Sequence, residues 1–429
     1  MTSPHRRADL LAALPEARLA RLQQVQAAAA DLGLSVYLVG GVVRDLLLGL
    51  PPGDFDLVAV PAGAEQGAPP GPRLARALAQ RHGGAVTVHP AFGTATWLAP
   101  DGAATDCATA RTETYAQPGA LPSVTPTPDI TTDLARRDFT LNALALRVDG
   151  DHLGELVDPF GGQADLAACL VRALHPASLQ DDPTRLFRAV RYARRLAFTL
   201  APDTLAQVAP ALAVLPALSG ERLRHELDLI FAEPQAAAML TQLDELGALT
   251  ALHPALSWSP AAAERAAVLP ELPRPAWQLP AALIRPAACF ALLLAAAPGE
   301  SAGALARLAI THDVAQAVTA ALAFQPAAWP AQPLPSQVVA MLDRLPPAGV
   351  AAAYALHPAQ RPLLHRYLSE WRFVRADLTG DDLLALGLPA GPRFKTLLWQ
   401  LRAGRLDGTL SSRTAELAQA RQWLRAQAD

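Results

Sequence analysis

Three aspartates near the start of the chain have the residue type and spacing for metal-assisted chemistry. Asp54 and Asp56 alternate along DFDLVAV, a predicted strand, so their side chains should point to one face. Asp106 stands in a later predicted strand, TDCATART, and can face the same point. Neighbouring carboxylates repel unless a cation lies between them, and oxygen-only ligand sets suit Mg²⁺. The trio predicts two-metal nucleotidyl transfer with release of pyrophosphate, although a DxD alone is more often a pair of surface aspartates.

Two glycines, Gly40 and Gly41, precede these aspartates by about 15 residues in LVGGVVRDLLLG. Glycines after a strand let backbone N–H groups approach an anion closely, and the helix that follows offers its N-terminus to a triphosphate. Arg44 lies about one turn into that helix, within reach of the same phosphates. A glycine pair by itself is more typical of an ordinary strand-to-helix turn. Glycines, helix and DxD together predict that the glycines hold a triphosphate and the aspartates hold its metal ions.

Hydrophobic periodicity places these residues in a small α+β domain. Residues 1–33 have the spacing of an amphipathic helix pair, VYLVGG and DFDLVAV are predicted strands, and VVRDLLLG is a predicted helix that ends at Gly49. AVTVHPAFGTATWL and TDCATART are predicted strands of the same sheet, followed by a loop over 115–130 rich in Pro, Gly and Thr. From Gln163 onward nearly every segment has helical period.

The composition is typical of a folded, soluble protein without a global basic bias. The 429 residues are 51% hydrophobic and 17% charged with a net charge of −3, and the length suggests about two to four domains. Cys107, Cys169 and Cys289 lack CxxC spacing, which indicates a reducing compartment and argues against a disulfide framework. We expect no signal peptide, and no apolar run reaches the roughly 20 residues of a membrane span. A cytoplasmic location without a membrane partner is expected.

Five motifs follow one another along the chain. They are LVGGVVRDLLLGLPPGDFD, RRDFTLNALAL at 136–146, DPFGG at 158–162, DDPTRLFRAVRYARRL at 181–196 and GERLRHEL at 220–227, with a thinner similarity over 376–420. In this order they resemble the class II tRNA nucleotidyltransferase and bacterial poly(A) polymerase family. The resemblance implies an α+β, mixed-sheet head of the polymerase-β type followed by helical domains. We expect a head over 1–162, a neck over 163–231, a body over 232–360 and an RNA-binding tail over 361–429.

The resemblance implies that the RRD segment closes over the incoming nucleotide. Arg136 and Arg137 can pair bidentately with triphosphate oxygens. Asp138 and Asn142 offer a carboxylate and an amide that can hold ribose hydroxyls. An isolated RRD is otherwise more typical of a surface cluster of ion pairs.

The resemblance also implies that Asp182 and Arg185 form a protein template for the base. On one helix these residues share a face, as do Asp181 and Arg185, so an intrahelical ion pair is the plain alternative. The Asp182 carboxylate can accept from the exocyclic amino group of cytosine or adenine, while Arg185 donates to the ring nitrogen. Uracil and guanine present a carbonyl instead and would be rejected. Asp181, which stands where the family usually has Glu, and Arg188 are expected to support this pair.

The expected reaction is template-independent addition of CMP and AMP, from CTP and ATP, to the 3′ end of tRNA. Residues 361–429 hold 11 Arg or Lys against 7 Asp or Glu, a weak sign of contact with a phosphate backbone. The resemblance assigns the helical body and tail to the acceptor–TΨC arm of tRNA, read by shape.

The nucleotide that is added stays open. The ordinary length of the 115–130 loop and the Asp182/Arg185 pair favour addition of both C and A. The segment ARTETYAQPGALPSV resembles the corresponding segment of subgroups that add only CC or only A. A poly(A) polymerase is a further alternative, and a non-catalytic RNA-binding protein is the alternative from another class. The intact aspartates, glycines and RRD segment argue against the latter.

Overall fold

The computed structural model describes residues 14–61, 67–114, 119–120, 122–326, 329–330, 332–387 and 393–425. The chain divides into two units, Met1–Leu218 and Ser219–Asp429. Of the helix pair expected over 1–33, the second helix is described and the first lies largely outside the described residues.

Strands dominate the middle of the first unit. They are β1 Leu34–Val39, β2 Asp56–Pro61, β3 Ala85–His89, β4 Thr94–Leu98, β5 Ala104–Thr109, β6 Arg111–Thr114, β7 Ser123–Pro126, β8 Ala145–Arg147, β9 Leu156–Val157, β10 Leu170–Val171 and β11 Thr199–Leu200. In the described ranges seven of them form one sheet in the order β3-β4-β5-β2-β1-β8-β9. β2 and β5 pair in parallel, whereas the other neighbours in this sheet are antiparallel.

Helices cover both faces of this sheet. Those of the first unit are α1 Glu16–Leu32, α2 Gly41–Leu47, α3 Pro70–His82, α4 Ile130–Ala135, α5 Gly162–Ala167, α6 Ser178–Asp181, α7 Thr184–Leu196, α8 Pro202–Leu205 and α9 Val208–Val214. α3 packs across β2, β4 and β5, with α1 beside it against β1. On the other face, Ile130 and Leu134 of α4 pack with Val58 and Val60 of β2. Because side chains alternate along a strand, Asp56 points to the face that α4 covers.

The second unit is helical throughout its described residues. Its helices are α10 Gly220–Phe231, α11 Ala236–Glu245, α12 Ala248–Leu252, α13 Pro260–Arg265, α14 Ala281–Leu294, α15 Ser301–Arg307, α16 His312–Ala323, α17 Pro335–Leu342, α18 Pro347–Leu356, α19 Arg361–Ser369, α20 Gly380–Ala385, α21 Arg393–Leu406 and α22 Arg413–Arg425. α14, α16 and α18 pack together as its centre. No helix in the described part of the chain is long and apolar enough to cross a membrane.

The predicted fold class is confirmed, and two local predictions are wrong. TDCATART is two strands, because the chain leaves the sheet after Thr109 and β6 pairs with β7 instead. The expected loop over 115–130 therefore includes β7 and the start of α4, while residues 115–118 and 121 lie outside the described residues. β6, RTET, has no hydrophobic residue whose alternation could mark the change of partner, so periodicity alone cannot detect it. The four-part domain division stays a prediction.

Gly71 provides a test of how α3 positions β5. A Cβ at this residue would lie 2.6 Å from the carbonyl carbon of Ala108 and from the oxygen of Cys107. We expect Gly71→Ala to lower the free energy of unfolding of the first unit by about 1–3 kcal/mol, because overpacking displaces helix or strand. Urea unfolding followed by circular dichroism measures this. Gly67→Ala is the control, since a Cβ there meets nothing within 4 Å, and equal stability of the two variants would contradict the prediction.

Candidate active site

Parallel pairing of β2 and β5 sets two carboxylates side by side. The register aligns Asp56 with Asp106, on the sheet face that α4 covers. Asp54 lies two residues before β2 begins and is exposed, while Phe55 between them is buried. The prediction that both aspartates of DFD lie in the strand is therefore wrong for Asp54, although the alternation of buried and exposed side chains extends to it. Asp56 and Asp106 are thus direct neighbours on inner strands of the sheet, and Asp54 lies near enough to Asp56 to act on its charge.

The electrostatic environment of Asp56 reflects this crowding. Burial raises the pKa of Asp56, and the carboxylates of Asp106 and Asp54 raise it further, while the Arg137 guanidinium acts in the opposite direction. The Asp106 carboxylate accepts a hydrogen bond of 2.5 Å from the Thr96 hydroxyl, across β4 and β5. The pair is thus under like-charge repulsion that its protein neighbours do not cancel.

The glycine turn lies against the RRD segment. Gly40 has φ 71° and ψ −126°, a conformation that favours glycine, and it precedes α2. A Cβ on Gly40 would lie 3.1 Å from Nη1 of Arg137, and a Cβ on Gly41 would lie 3.5 Å from Nη2 of Arg44. The bare backbone therefore lets two guanidinium groups approach the turn. Since Arg137 also acts on Asp56, the glycines and the carboxylates belong to one site.

A buried carboxylate that the sequence analysis missed holds the paired arginines. Asp133 is fully buried and accepts hydrogen bonds from Arg136 at 2.8 and 3.0 Å and from Arg137 at 3.1 Å. Glu113 of β6 adds a 2.7 Å ion pair to Arg136. Burial acts to raise the pKa of Asp133, but Arg137 and Arg136 outweigh it and lower this pKa. The i,i+3 and i,i+4 spacing of Asp133 from the two arginines was the signal available in the sequence.

A chain of hydrogen bonds links α2, the RRD segment and α7. Nη1 of Arg44 donates to Oδ1 of Asn142 at 2.8 Å, and Nδ2 of Asn142 donates to Oδ1 of Asp138 at 3.0 Å. Nε and Nη2 of Arg188 donate to Oδ2 of Asp138 at 2.8 and 2.6 Å. Burial acts to raise the pKa of Asp138, but the charge of Arg188 and the hydrogen bonds from Asn142 and Arg188 lower it. Asp138 is therefore a buried anion at the junction of three elements.

The DDPTRLFRAVRYARRL motif at 181–196 spans the end of one helix, α6, and the whole of the next, α7, with a break at Asp182. Asp182 is extended, with φ −134° and ψ 94°, and its Oδ1 accepts from the backbone N–H and hydroxyl of Thr184 at 3.1 and 2.7 Å. Asp181 ends α6, where its carboxylate lies 3.9 Å from Nε2 of His175. Asp181 and Arg185 therefore do not lie on one continuous helix. Pro183 and the capping geometry of Asp182 end one helix and start the next.

Arg185 lies at the start of α7 and is buried against the RRD segment. Its Nη1 donates to the Ser178 hydroxyl at 2.6 Å and its Nη2 to the backbone carbonyl of Arg136 at 3.0 Å. The guanidinium plane is thereby oriented by two elements other than its own helix. Ser178 had no sequence signal that pointed to this role.

This arrangement combines hard oxygen donors with a row of arginines. The carboxylates of Asp54, Asp56 and Asp106 are oxygen ligands of the kind that a divalent cation prefers. Burial and the neighbouring carboxylates raise the pKa of Asp56, and a bound cation would stabilise its ionised form. Within the described ranges, no group of three His, Cys, Asp or Glu side chains is already gathered closely enough to hold a metal ion. A polyanion with an associated divalent cation fits both halves of the site.

Two family models match this chain. The model described as "Poly A polymerase head domain" matches residues 36–172, which include the sheet, the glycine turn and the RRD segment. The model described as "Probable RNA and SrmB-binding site of polymerase A" matches residues 197–259. The part of the chain that carries the sheet is thus similar to the head domain of a poly(A) polymerase.

This chain is similar to several tRNA nucleotidyltransferases and covers different shares of their lengths. An A-adding tRNA nucleotidyltransferase of Halalkalibacterium halodurans is 33% identical over 94% of this chain and 92% of that protein. One of Geobacter sulfurreducens is 33% identical over 94% of this chain, which spans only 47% of that longer relative. A CC-adding tRNA nucleotidyltransferase of Deinococcus radiodurans is 46% identical over 50% of this chain and 54% of that protein.

Solved structures share the fold of this chain. The chain matches "The structure of CCA-adding enzyme apo form II" with a TM-score of 0.82 and 24% identity over 96% of this chain and 97% of that one. It matches "The complex structure of CCA-adding enzyme with CTP" with a TM-score of 0.80 and 25% identity over 97% and 98%. The chain belongs to the tRNA nucleotidyltransferase and poly(A) polymerase family, which confirms the resemblance found in the sequence. Enzymes of this family generally use divalent metal ions.

The buried charge of Asp138 predicts a pH-dependent loss of stability. Asp138→Asn leaves Arg188 without its carboxylate, so we expect the free energy of unfolding of the first unit to fall by about 2 kcal/mol at neutral pH. Because folding lowers the pKa of Asp138, its contribution is present above the unfolded pKa of about 3.9 and is lost as the pH falls through the lower folded pKa. The difference between wild type and variant should therefore narrow below about pH 4.

Urea unfolding across a pH series measures that difference. Asp133, which is also buried and charged, is present in both proteins, so its contribution cancels. Asp313→Asn, at an exposed carboxylate in the second unit, is the control and should leave the first transition unchanged. A gap between wild type and Asp138→Asn that stays constant at every pH would contradict the assignment of charge to Asp138.

Proposed function

We propose that this chain adds nucleotides from CTP and ATP to the 3′ end of tRNA without a nucleic-acid template. The observation that carries the proposal is the register pair Asp56 and Asp106 beside a glycine turn and Arg137. The names of the relatives and of the CTP complex support the substrates. The reaction joins the 3′ hydroxyl oxygen of the RNA to the α-phosphorus of the nucleotide and breaks the bond to pyrophosphate.

The carboxylates of Asp54, Asp56 and Asp106 are the proposed holders of Mg²⁺. When bound, the metal supplies Lewis-acid stabilisation of the phosphate charge and lowers the pKa of the attacking hydroxyl. The carboxylates themselves hold the triphosphate end of the site open, since their mutual repulsion disfavours collapse onto one another.

The triphosphate is proposed to lie along the glycine turn. The backbone of Gly40 and Gly41 permits close approach, and Arg137 and Arg44 lie beside it. Arg136, which shares the Asp133 carboxylate with Arg137, is proposed to contact the same triphosphate. Asp133 keeps the guanidinium groups of Arg136 and Arg137 oriented, so less side-chain entropy is lost when the nucleotide binds. Asp138 and Asn142 are proposed to meet the ribose.

The base is proposed to be read by Asp182 and Arg185. Thr184 holds one oxygen of Asp182, which directs the carboxylate, and Ser178 orients Arg185. Asp181 and Arg188 are proposed to support this pair, Arg188 through its ion pair with Asp138. A polar edge that matches the amino group and ring nitrogen of C and A discriminates against U and G, because mismatched groups would be left unpaired.

The RNA is proposed to contact the helical second unit, whose final segment has the surplus of positive charge noted above. Recognition there is expected to depend on the shape of the acceptor–TΨC arm and on its phosphates. Arg393 and Lys395 at the start of α21 are exposed members of this basic segment.

Addition of A alone is the second candidate. It is favoured by the two A-adding relatives, which match over 94% of this chain. Our first candidate remains addition of both C and A, because one Asp182/Arg185 pair can serve either base. The CC-adding relative is more similar but matches over only half of the chain.

Single-turnover assays on tRNA lacking CCA separate these candidates. With CTP and ATP together we expect products extended through C75 to A76. Addition of both bases requires one pocket to accept a pyrimidine and then a larger purine, so part of that pocket must move between the two steps. A product that stops at C75 despite excess ATP would show CC addition only. Extension that begins only on tRNA ending in C75 would show A addition only.

Removal of the metal-holding carboxylates tests the mechanism. We expect Asp54→Ala and Asp56→Ala each to lower the rate of addition by about a thousandfold, because charge stabilisation worth several kcal/mol is lost. Binding of tRNA in a gel-shift assay should stay near the wild-type level. Glu155→Ala, at a part-exposed carboxylate of the same unit, is the control and should retain full activity. A double variant that keeps more than about a tenth of the activity refutes the assignment.

Removal of Arg185 tests base recognition. We expect Arg185→Ala to raise incorporation of UTP and GTP relative to CTP and ATP by about tenfold, because the donor to the base edge is lost. Competition between nucleotides on one tRNA substrate measures the ratio. Arg195→Ala, at an exposed position of the same helix, should leave the ratio unchanged. An equal fall for all four nucleotides would mean that Arg185 is structural.

A further inference from the structure

One tyrosine of α7 is surrounded by arginine side chains. The guanidinium carbons of Arg44, Arg188 and Arg191 lie 5.2, 5.9 and 5.9 Å from the ring centroid of Tyr192. The edge contact of Tyr192 with Phe139, at 5.9 Å between centroids and 80° between planes, fixes the orientation of the ring. Cations within about 6 Å of an aromatic ring are attracted to its negative face. A single ring thus lies within cation–π distance of three positive groups.

Tyr192 contacts both Arg44 and Arg188, which a chain of hydrogen bonds also connects. Arg44 leads through Asn142 and Asp138 to Arg188 by hydrogen bonds, as described above. Tyr192 contacts both ends of that chain, since it lies one helical turn after Arg188 and its hydroxyl is 3.5 Å from Nη2 of that residue. The ring is therefore the contact through which the arginine after the glycine turn meets the arginine of α7.

We propose that Tyr192 is a positioning residue that holds Arg44 and Arg188 in the orientation used to bind the nucleotide. The proposal rests on the proposed function and adds to it a residue outside the groups that meet the substrate. Tyr192 is part-buried, with its ring in edge contact with the fully buried Phe139. Its aromatic face, and not its hydroxyl, carries the role, because the hydroxyl contact is long.

Two substitutions separate the ring from the hydroxyl and from simple packing. Tyr192→Phe keeps the aromatic face, and we expect the KM for CTP and ATP to stay within about twofold of wild type. Tyr192→Leu removes the face, and we expect KM to rise about five- to thirtyfold while kcat changes less than about threefold. Equal KM values for Leu and wild type, or a Phe variant as impaired as the Leu variant, would overturn the proposal.

A double-mutant cycle tests whether Tyr192 acts through Arg44. In an Arg44→Met background, Tyr192→Leu should raise KM by a smaller factor than in the wild type, because one of the positioned groups is gone. Multiplication of the two single effects would overturn the proposed coupling. The cycle compares active variants, so absence of nucleotide addition by the wild-type protein would refute the proposed function and not this inference.

Tyr354 supplies a matched control from the second unit. The guanidinium carbons of Arg274 and Arg361 lie 5.6 and 5.5 Å from its ring centroid, and the residue is buried. Tyr354→Leu therefore removes the same kind of contact and should lower the melting temperature while leaving the KM for nucleotides unchanged. A rise in KM equal to that of Tyr192→Leu would show that the effect is general destabilisation, and the proposal would fail.

Discussion

Like-charge repulsion between Asp56 and Asp106 is the constraint on which the rest of the site depends. Parallel pairing of β2 with β5 aligns the two residues directly, and burial of Asp56 strengthens the repulsion. Such a pair costs stability unless positive charge is nearby. The face of the sheet that carries it is accordingly the face covered by α4, and Arg136 and Arg137 directly follow the end of that helix. The positive charge of the arginines thus partly compensates the repulsion between the carboxylates.

Two buried carboxylates, Asp133 and Asp138, orient four arginines of the site in the absence of a ligand. Asp133 holds Arg136 and Arg137, while Asp138 holds Arg188 and, through Asn142, Arg44. Charged hydrogen bonds of this kind are costly to break when one partner is removed, because the other charge stays desolvated. Preorganisation reduces the ordering cost of binding a polyanion, which suits the triphosphate site that we propose here.

The break at Asp182 shows how a local rule outweighs a periodic one. On a single helix the spacing of Asp181, Asp182 and Arg185 would give these residues one shared face. A proline at 183 and the capping of Thr184 by Asp182 instead end α6 and begin α7. Arg185 then gains partners from Ser178 and the carbonyl of Arg136, which no sequence spacing relates to it. The geometry proposed for base reading comes from this junction.

The sequence by itself determined the fold class, the family and the residue types of the site, because strand alternation, the glycine pair and the ordered motifs are local patterns. The i,i+3 and i,i+4 spacing of Asp133 from Arg136 and Arg137 could also have predicted their ion pairs from the sequence. Only the tertiary structure decided the parallel register of Asp56 with Asp106, the departure of β6 from the sheet and the gathering of arginines around Tyr192. These depend on contacts between residues far apart in the chain, whose pairing is set by packing and electrostatics and leaves no periodic trace in the sequence.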